Sequence, residues 1–441
     1  MTATPRSLEA VELEERPTSD GQVSRLASAV AAFRSDSLAR NSFWLISNSA
    51  LLAVLGFVFW TVAARRYTEE HVGLVTAISG GVGLASSAAS LGLPNTIIRF
   101  LVGERDRRAM VACAVLATAS LGGVLGAAWV MVPGQFGTPF SEVGGRTELV
   151  VVLALAVGGL ASSAIVDAAF TAMRSTALLP VKSVAGSLAR VLLLLVLPAT
   201  SSLRLLAVFV LGIALSTVVG LVVLTLRYPG RIGPDAIGRG RAAVGRASSF
   251  VAGNYVATLV AIIPLTTLPM ITVARLGSAD AAYFAIPLMI CNLLTFIPQM
   301  TSQSLLAEAA HSETDLPALI TRSLRGIYAV MVPAALVMAA VAPLVLSVFG
   351  PDYSSNGTTV LRLLALGALV SSFSYVADTV LNARRQVRAY VVVNTLGTVV
   401  VLGAAVAGMS FGLAGLGWGW IAGQLGYAVI AAVAVRGGGR R

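Results

Sequence analysis

A chain of 441 residues with 12% charged side chains and a mean hydropathy of +0.85 lies outside the range of soluble globular domains, where about a quarter of residues are charged. Composition therefore excludes a water-soluble enzyme and predicts an all-α polytopic membrane protein. The net charge of +11, from 31 Lys+Arg against 20 Asp+Glu, is assigned to membrane-flanking loops and not to nucleic acid, because no soluble basic domain is present to hold such a partner.

Residues 1–40 are polar, and the acidic run Glu9, Glu12, Glu14 and Glu15 reads as disordered. Val23, Leu26, Val30 and Phe33 then fall at helical spacing on a segment suited to the cytoplasmic membrane surface. The first apolar span, residues 41–64, crosses about 30 Å of hydrocarbon at about 1.5 Å per residue. It is too long for a signal-peptide core and is followed by Arg65-Arg66 instead of a small-residue cleavage site, so it is expected to stay in the mature protein. The second, 72–100, is longer than a bilayer requires. Gly80, Gly81 and Gly83 early and Gly92-Leu93-Pro94 late predict a broken helix, a feature tolerated at membrane depth beside protein or a water-filled cavity.

Ten more spans follow, at 109–132, 148–172, 178–198, 203–226, 248–274, 281–306, 322–349, 358–383, 388–408 and 412–435. With the N terminus in the cytoplasm, about 24 basic residues fall in tails and inside loops and about 6 outside, which sets both termini on the cytoplasmic side of a bacterial membrane. The stretch 227–247 holds five arginines with glycine and proline and reads as a basic linker between two six-helix halves, 41–226 and 248–435, with 436–441 as a short tail. Trp44-x-x-x-Asn48 is answered by Phe250-x-x-x-Asn254, and Ala64-Arg65 by Ala274-Arg275, the mark of an internal repeat. An even number of crossings per half makes the repeats parallel, enclosing a central cavity.

No phosphate-binding G-x-x-x-x-G-K-[ST] loop is present, His71 and His311 form no zinc motif, and Cys113 and Cys291 sit within apolar spans as small hydrophobes. No cofactor or metal is implied, and short outside loops leave little room for a polymerase or glycosyltransferase domain. Movement across the membrane remains.

A charge at the bilayer centre costs about 2.5–3.5 kcal/mol on insertion scales, so deep ionisable groups are informative. Arg190 stands midway along its span, Arg99 near the inner end of the second span with Asn95 one turn before it, Asp167 in the fourth and Asp378 in the tenth. Arg99 and Asn95 on one face present a donor pair to an anion, or Arg99 anchors the helix at the inner interface. Asp167 and Arg190 serve either as an ion pair across a helical hairpin or as substrate contacts. Asn48, Asn254 and Asn292 add hydrogen-bonding groups at depth, for interhelical bonds or sugar recognition. Gly415, Gly419 and Gly423 repeat every four residues, a stripe for close packing within the chain.

Asn41-x-x-Trp44, Ala64-Arg65-x-Tyr67 with Glu70-x-x-Gly73, and Leu91-Gly-Leu-Pro-Asn95-x-x-x-Arg99-Phe100 resemble motifs of the polysaccharide-exporter branch of the multidrug/oligosaccharidyl-lipid/polysaccharide (MOP) superfamily, the lipid-linked oligosaccharide flippases. That resemblance implies two bundles in a V shape, a cationic cavity, and alternating access that moves an undecaprenyl-pyrophosphate-linked glycan between leaflets. It also implies membrane lipid and other polysaccharide-assembly proteins as partners. The substrate contacts expected are Arg99, Arg190, Asn95, Asn48, Asn254 and Asn292. Drug exporters of the superfamily carry carboxylates in their first helix and this chain has none there, yet Asp167 and Asp378 leave open a cation-coupled multidrug or small-molecule antiporter.

Overall fold

The computed structural model describes residues 37–104, 106–129, 146–228, 234–311, 316–384 and 386–437. The expected acidic tail and surface segment before residue 37 lie outside the described residues, as do the side chains of Asn254, Gln303 and Glu308. The described residues form thirteen α-helices: α1 (Ser37–Arg66), α2 (Glu69–Ser90), α3 (Leu93–Phe100), α4 (Arg107–Trp129), α5 (Arg146–Ala172), α6 (Leu179–Val196), α7 (Ser202–Arg227), α8 (Pro234–Leu276), α9 (Ser278–His311), α10 (Leu316–Ser347), α11 (Pro351–Ala383), α12 (Val387–Gly408) and α13 (Gly412–Gly437). The apolar window of α12 runs unbroken into that of α13, and a 3₁₀ turn at Met409–Phe411 divides the two. With α2 and α3 counted as one, the helices among the described residues number twelve, as the span lengths predict.

The predicted break in the second span is real, and it sits late. Leu91 and Gly92 both take left-handed backbone, φ 49° and 69°, and Pro94 restarts the chain in the first turn of α3. Gly80, Gly81 and Gly83 interrupt nothing. A Cβ on Gly80 would stand 2.4 Å from the carbonyl oxygen of Thr266 in α8, and one on Gly81 would stand 2.3 Å from the Trp129 ring of α4, so these glycines admit close neighbours instead of bending the helix. The stretch 234–247, read as linker, is the first third of α8.

In the first half α1 packs on α6, α6 on α7, α7 on α5 and α5 on α4. In the second, α8 packs on α12, α12 on α13, α13 on α11 and α11 on α10, the same order in the corresponding helices. Two parallel repeats result. The glycine stripe of α13 lies against α12, where a Cβ on Gly419 would approach the Ala404 carbonyl oxygen to 2.2 Å. The halves meet where α2 packs against α8 and α9, and the largest apolar core runs through this seam, with Val75 and Ile78 of α2 beside Leu268 of α8 and Phe284 of α9.

The start of α1, the end of α13 and the arginine-bearing turns after α3, α5, α7 and α11 share one face of the molecule, here the basic face; the opposite one is the far face.

Candidate functional site

Three sites stand out in the assembled halves: a crevice between them and a polar interior within each. The crevice opens between α1 and α9, which scarcely touch. Its volume is about 1020 Å³, and its walls are Leu45, Ile46, Ala50, Ala53, Val54 and Phe57 of α1 with Leu293, Phe296 and Met300 of α9, the only polar groups among the described residues being Ser49 and Ser304. These residues occupy the basic-face two thirds of α1. Beyond them the passage ends: the Phe57 ring meets Phe349 edge-on at 5.0 Å, and Arg65 reaches from the last turn of α1 to the end of α10.

Around the other side the halves are sealed. Gly73 of α2 lies so close to α9 that a Cβ would be 1.7 Å from the Ser278 carbonyl oxygen. The Tyr255 hydroxyl of α8 donates to the carbonyls of Ser87 and Ala88, and Gly240 packs on the Ala109 backbone. The opening is thus one-sided, apolar and confined to the basic-face side. Among the described residues no arginine lines these walls, where the resemblance implies a cationic cavity.

Within the first half, Asp167 of α5 pairs with Lys182 of α6 at 2.7 Å, not with Arg190. Lys182 also donates to the Ser163 hydroxyl at 2.6 Å and carbonyl at 3.2 Å, which satisfies all three of its protons. Gly220 of α7 makes the space, since a Cβ there would stand 3.1 Å from the Lys182 Cδ. Sequence reasoning passed over Lys182 as a site residue. A signal for it existed: Asp167 and Lys182 lie at equal chain distance on either side of the Arg174-Ser175 turn, so a hairpin brings them to the same depth.

Arg190 lies among α1, α6 and α7. Its guanidinium carbon is 5.6 Å from the Phe59 ring and 5.4 Å from the Phe209 ring, and Nη2 donates to the Ser187 hydroxyl at 3.2 Å. A Cβ on Gly212 would collide with its stem at 2.0 Å. Arg190 therefore lies inside the first half, away from the crevice walls. Asn48 is buried on α1, and Asn41 accepts from the Thr176 hydroxyl at 2.9 Å, which fastens the start of α1 to the turn before α6. Asn95 and Arg99 are both exposed on α3, one turn apart, with the Arg99 guanidinium 5.6 Å from the Phe100 ring.

The second half holds a cavity of about 130 Å³ among α8, α9, α11, α12 and α13. Asp378 accepts from Asn394 Nδ2 on one oxygen and from the Tyr427 hydroxyl on the other, each at 3.1 Å. The Tyr427 oxygen is also 3.0 Å from Asn394 Oδ1, so its single proton serves one of two acceptors at a time. Asn292, Thr398 and Gln424 line the same cavity, and Gln299 donates to Tyr375 at 3.2 Å beside it. Asp378 and Asn292, named from sequence, are brought together here. Tyr427 and Gln424 were missed, although a tyrosine and a glutamine three residues apart on an otherwise apolar span place two polar groups on one face.

In fold the chain is similar to the inward-facing conformation of a multidrug resistance MATE family transporter of the MOP superfamily, at 15% identity over 87% of this chain and 93% of that one, with a TM-score of 0.64. It is similar too to the lipid II flippase MurJ in an inward closed conformation, at 10% identity over 89% of this chain and 87% of that one, TM-score 0.64. An outward-facing MATE transporter of the superfamily aligns at 13% identity over 91% and 94% of the two chains, TM-score 0.61. The fold is the one those MOP-superfamily structures share, and eleven helical stretches among the described residues are long and apolar enough to cross a membrane. Residues 38–306, more than half of the chain, match the family described as "Polysaccharide biosynthesis protein", and the chain belongs to that family. No curated protein sequence matches it.

Proposed function

We propose that the protein flips an undecaprenyl-pyrophosphate-linked oligosaccharide from the inner to the outer leaflet of the bacterial cytoplasmic membrane, for assembly of a surface polysaccharide. In this reading both termini are cytoplasmic and the basic face is the inner one. The observation that carries it is the one-sided apolar crevice between α1 and α9. A drug or sugar dissolved in water is served by a polar channel. A substrate with a long hydrocarbon tail needs an opening to the bilayer itself, apolar along its length and closed at the outer end. The lipid tail lies in or beside that crevice while the headgroup meets Arg99 and Asn95 at the inner end, where a guanidinium fork suits a pyrophosphate. Arg190, which lies against the Phe59 and Phe209 rings, is assigned to holding α1, α6 and α7 together.

The Asp378 cavity of the second half is the coupling site in this reading, taking up a cation or proton during the cycle. A second reading, a cation-coupled small-molecule antiporter, draws on that same cavity. Cells carrying Arg99→Ala distinguish them: the flippase reading expects stable protein in the membrane, lipid-linked glycan accumulating inside and surface glycan lost, with drug sensitivity unchanged. Normal surface glycan with well-expressed Arg99→Ala discards the headgroup assignment. Altered drug accumulation with normal glycan favours the antiporter.

A further inference from the structure

We propose that Arg65 is the latch that holds the far ends of the two halves together, so that breaking it is the step that admits the outward-open state. The Arg65 Nε donates to the Val348 carbonyl and Nη2 to the Ser347 carbonyl, each at 2.8 Å. Both acceptors end α10, in the other half of the molecule. The last turn of a helix leaves carbonyls without partners and carries the negative end of its dipole. Here the chain satisfies Leu346 with the amides of Phe349 and Gly350, and it leaves Ser347 and Val348 to the arginine fork. Among the described residues no other side chain hydrogen-bonds across the halves at the far face. The contacts beside it, Phe57 on Phe349 and Gly73 on the Ser278 backbone, are packing contacts without charge.

Two neighbours show that this is not merely what a terminal arginine does. Arg66, the next residue, makes chemically similar bonds to the Leu195 carbonyl at 2.6 Å and the Leu197 carbonyl at 3.4 Å, but these end α6 in its own half. Arg275, the counterpart of Arg65 in the repeat, borders a groove whose other walls are Leu276 and the end of α12, again in its own half. Of these three arginines, Arg65 is the one whose hydrogen bonds cross the seam. Its partners are exposed neutral carbonyls, so water replaces them when the halves part, and the latch reforms without an ion pair to rebuild. Such a contact biases a two-state equilibrium and leaves neither state inaccessible.

The inference rests on the alternating-access reading above, and its test is independent of the cargo. Thr200→Cys and Ser355→Cys, exposed far-face positions in the first and second half, take spin labels in a Cys113→Ala, Cys291→Ala background, and the interlabel distance is measured in liposomes. The unmodified latch is expected to give mostly one short distance. Arg65→Ala is expected to raise the ratio of long to short populations about tenfold, equivalent to about 1.4 kcal/mol, with Arg65→Lys between and Arg66→Ala unchanged. An Arg65→Ala distribution that superimposes on the parent, or an equal shift in Arg66→Ala, overturns the latch. Loss or retention of surface glycan, scored separately, bears on the flippase reading alone.

Discussion

Lys182 and Asp167 form an ion pair at 2.7 Å between α5 and α6, with the lysine side chain 4% exposed and the aspartate 43%. The asymmetry matters for what each substitution does. Lys182→Met leaves a half-exposed carboxylate with one oxygen buried, whereas Asp167→Leu strands a buried ammonium with only Ser163 for company. Removing one member of a buried pair costs about 3–5 kcal/mol. Thermal unfolding in detergent is expected to show Asp167→Leu near that cost, Lys182→Met well below it, and the double variant more stable than Asp167→Leu. Equal losses for the two single variants would show that exposure of the carboxylate carries no weight.

Gly73 and Gly212 both lack room for a methyl group, but against different obstacles. At Gly73 the obstacle is the Ser278 backbone at 1.7 Å, which cannot move without shifting α9; at Gly212 it is the Arg190 stem at 2.0 Å, which can swing. Gly73→Ala is expected to reduce folded yield or melting temperature more than Gly212→Ala, and Gly212→Ala to abolish the contact of Arg190 with Phe209. The reverse order of stability contradicts the packing of the far-face seam.

Asp378 is held by Asn394 and Tyr427. Asp378→Asn keeps the volume and removes the titratable group, so the protein is expected to fold while its transport loses dependence on the ion gradient. Tyr427→Phe removes one hydrogen bond to the Asp378 carboxyl, expected to cost about 0.5–1.5 kcal/mol of stability. Gradient-dependent transport persisting in Asp378→Asn rules the cavity out as the coupling site.

Filling the crevice tests its use without touching a charge. Ala53 lines it, whereas Leu336 is exposed on the outer surface of α10. Ala53→Trp is expected to reduce surface glycan at least tenfold with normal protein levels, and Leu336→Trp to leave it unchanged. Full export by Ala53→Trp contradicts passage of the lipid between α1 and α9.

Much of the fold was legible because bilayer thickness sets span length: the described parts of the spans from 41–64 to 412–435 fall on the helices, with 72–100 divided between α2 and α3 and with 178–198 and 322–349 running one or two residues past theirs. The Gly92-Leu93-Pro94 break was legible too, since left-handed backbone and a proline restart are local chemistry. Gly80 and Gly81 were misread because a glycine either loosens its own helix or admits a neighbour, and the neighbours here, Thr266 and Trp129, lie far along the chain. Asp167 meets Lys182 in place of Arg190 because seven residues separate each of the pair from the Arg174-Ser175 turn, whereas Arg190 lies two turns farther from it. The crevice was the least legible part. Its walls are ordinary apolar positions of α1 and α9, and only the relative placement of the two halves turns them into an opening, so attention fell on the arginines instead.

The central claim is that this protein carries a lipid-linked glycan across a bilayer. Its most direct test is the purified protein in liposomes with a fluorescent polyprenyl-pyrophosphate oligosaccharide, read by the fraction of label accessible to an impermeant quencher. Label moving between leaflets faster than in protein-free vesicles, with the movement lost in Ala53→Trp, is the predicted result. Transfer no faster than in protein-free vesicles, from protein that is folded and carries small cationic drugs down an ion gradient, contradicts it.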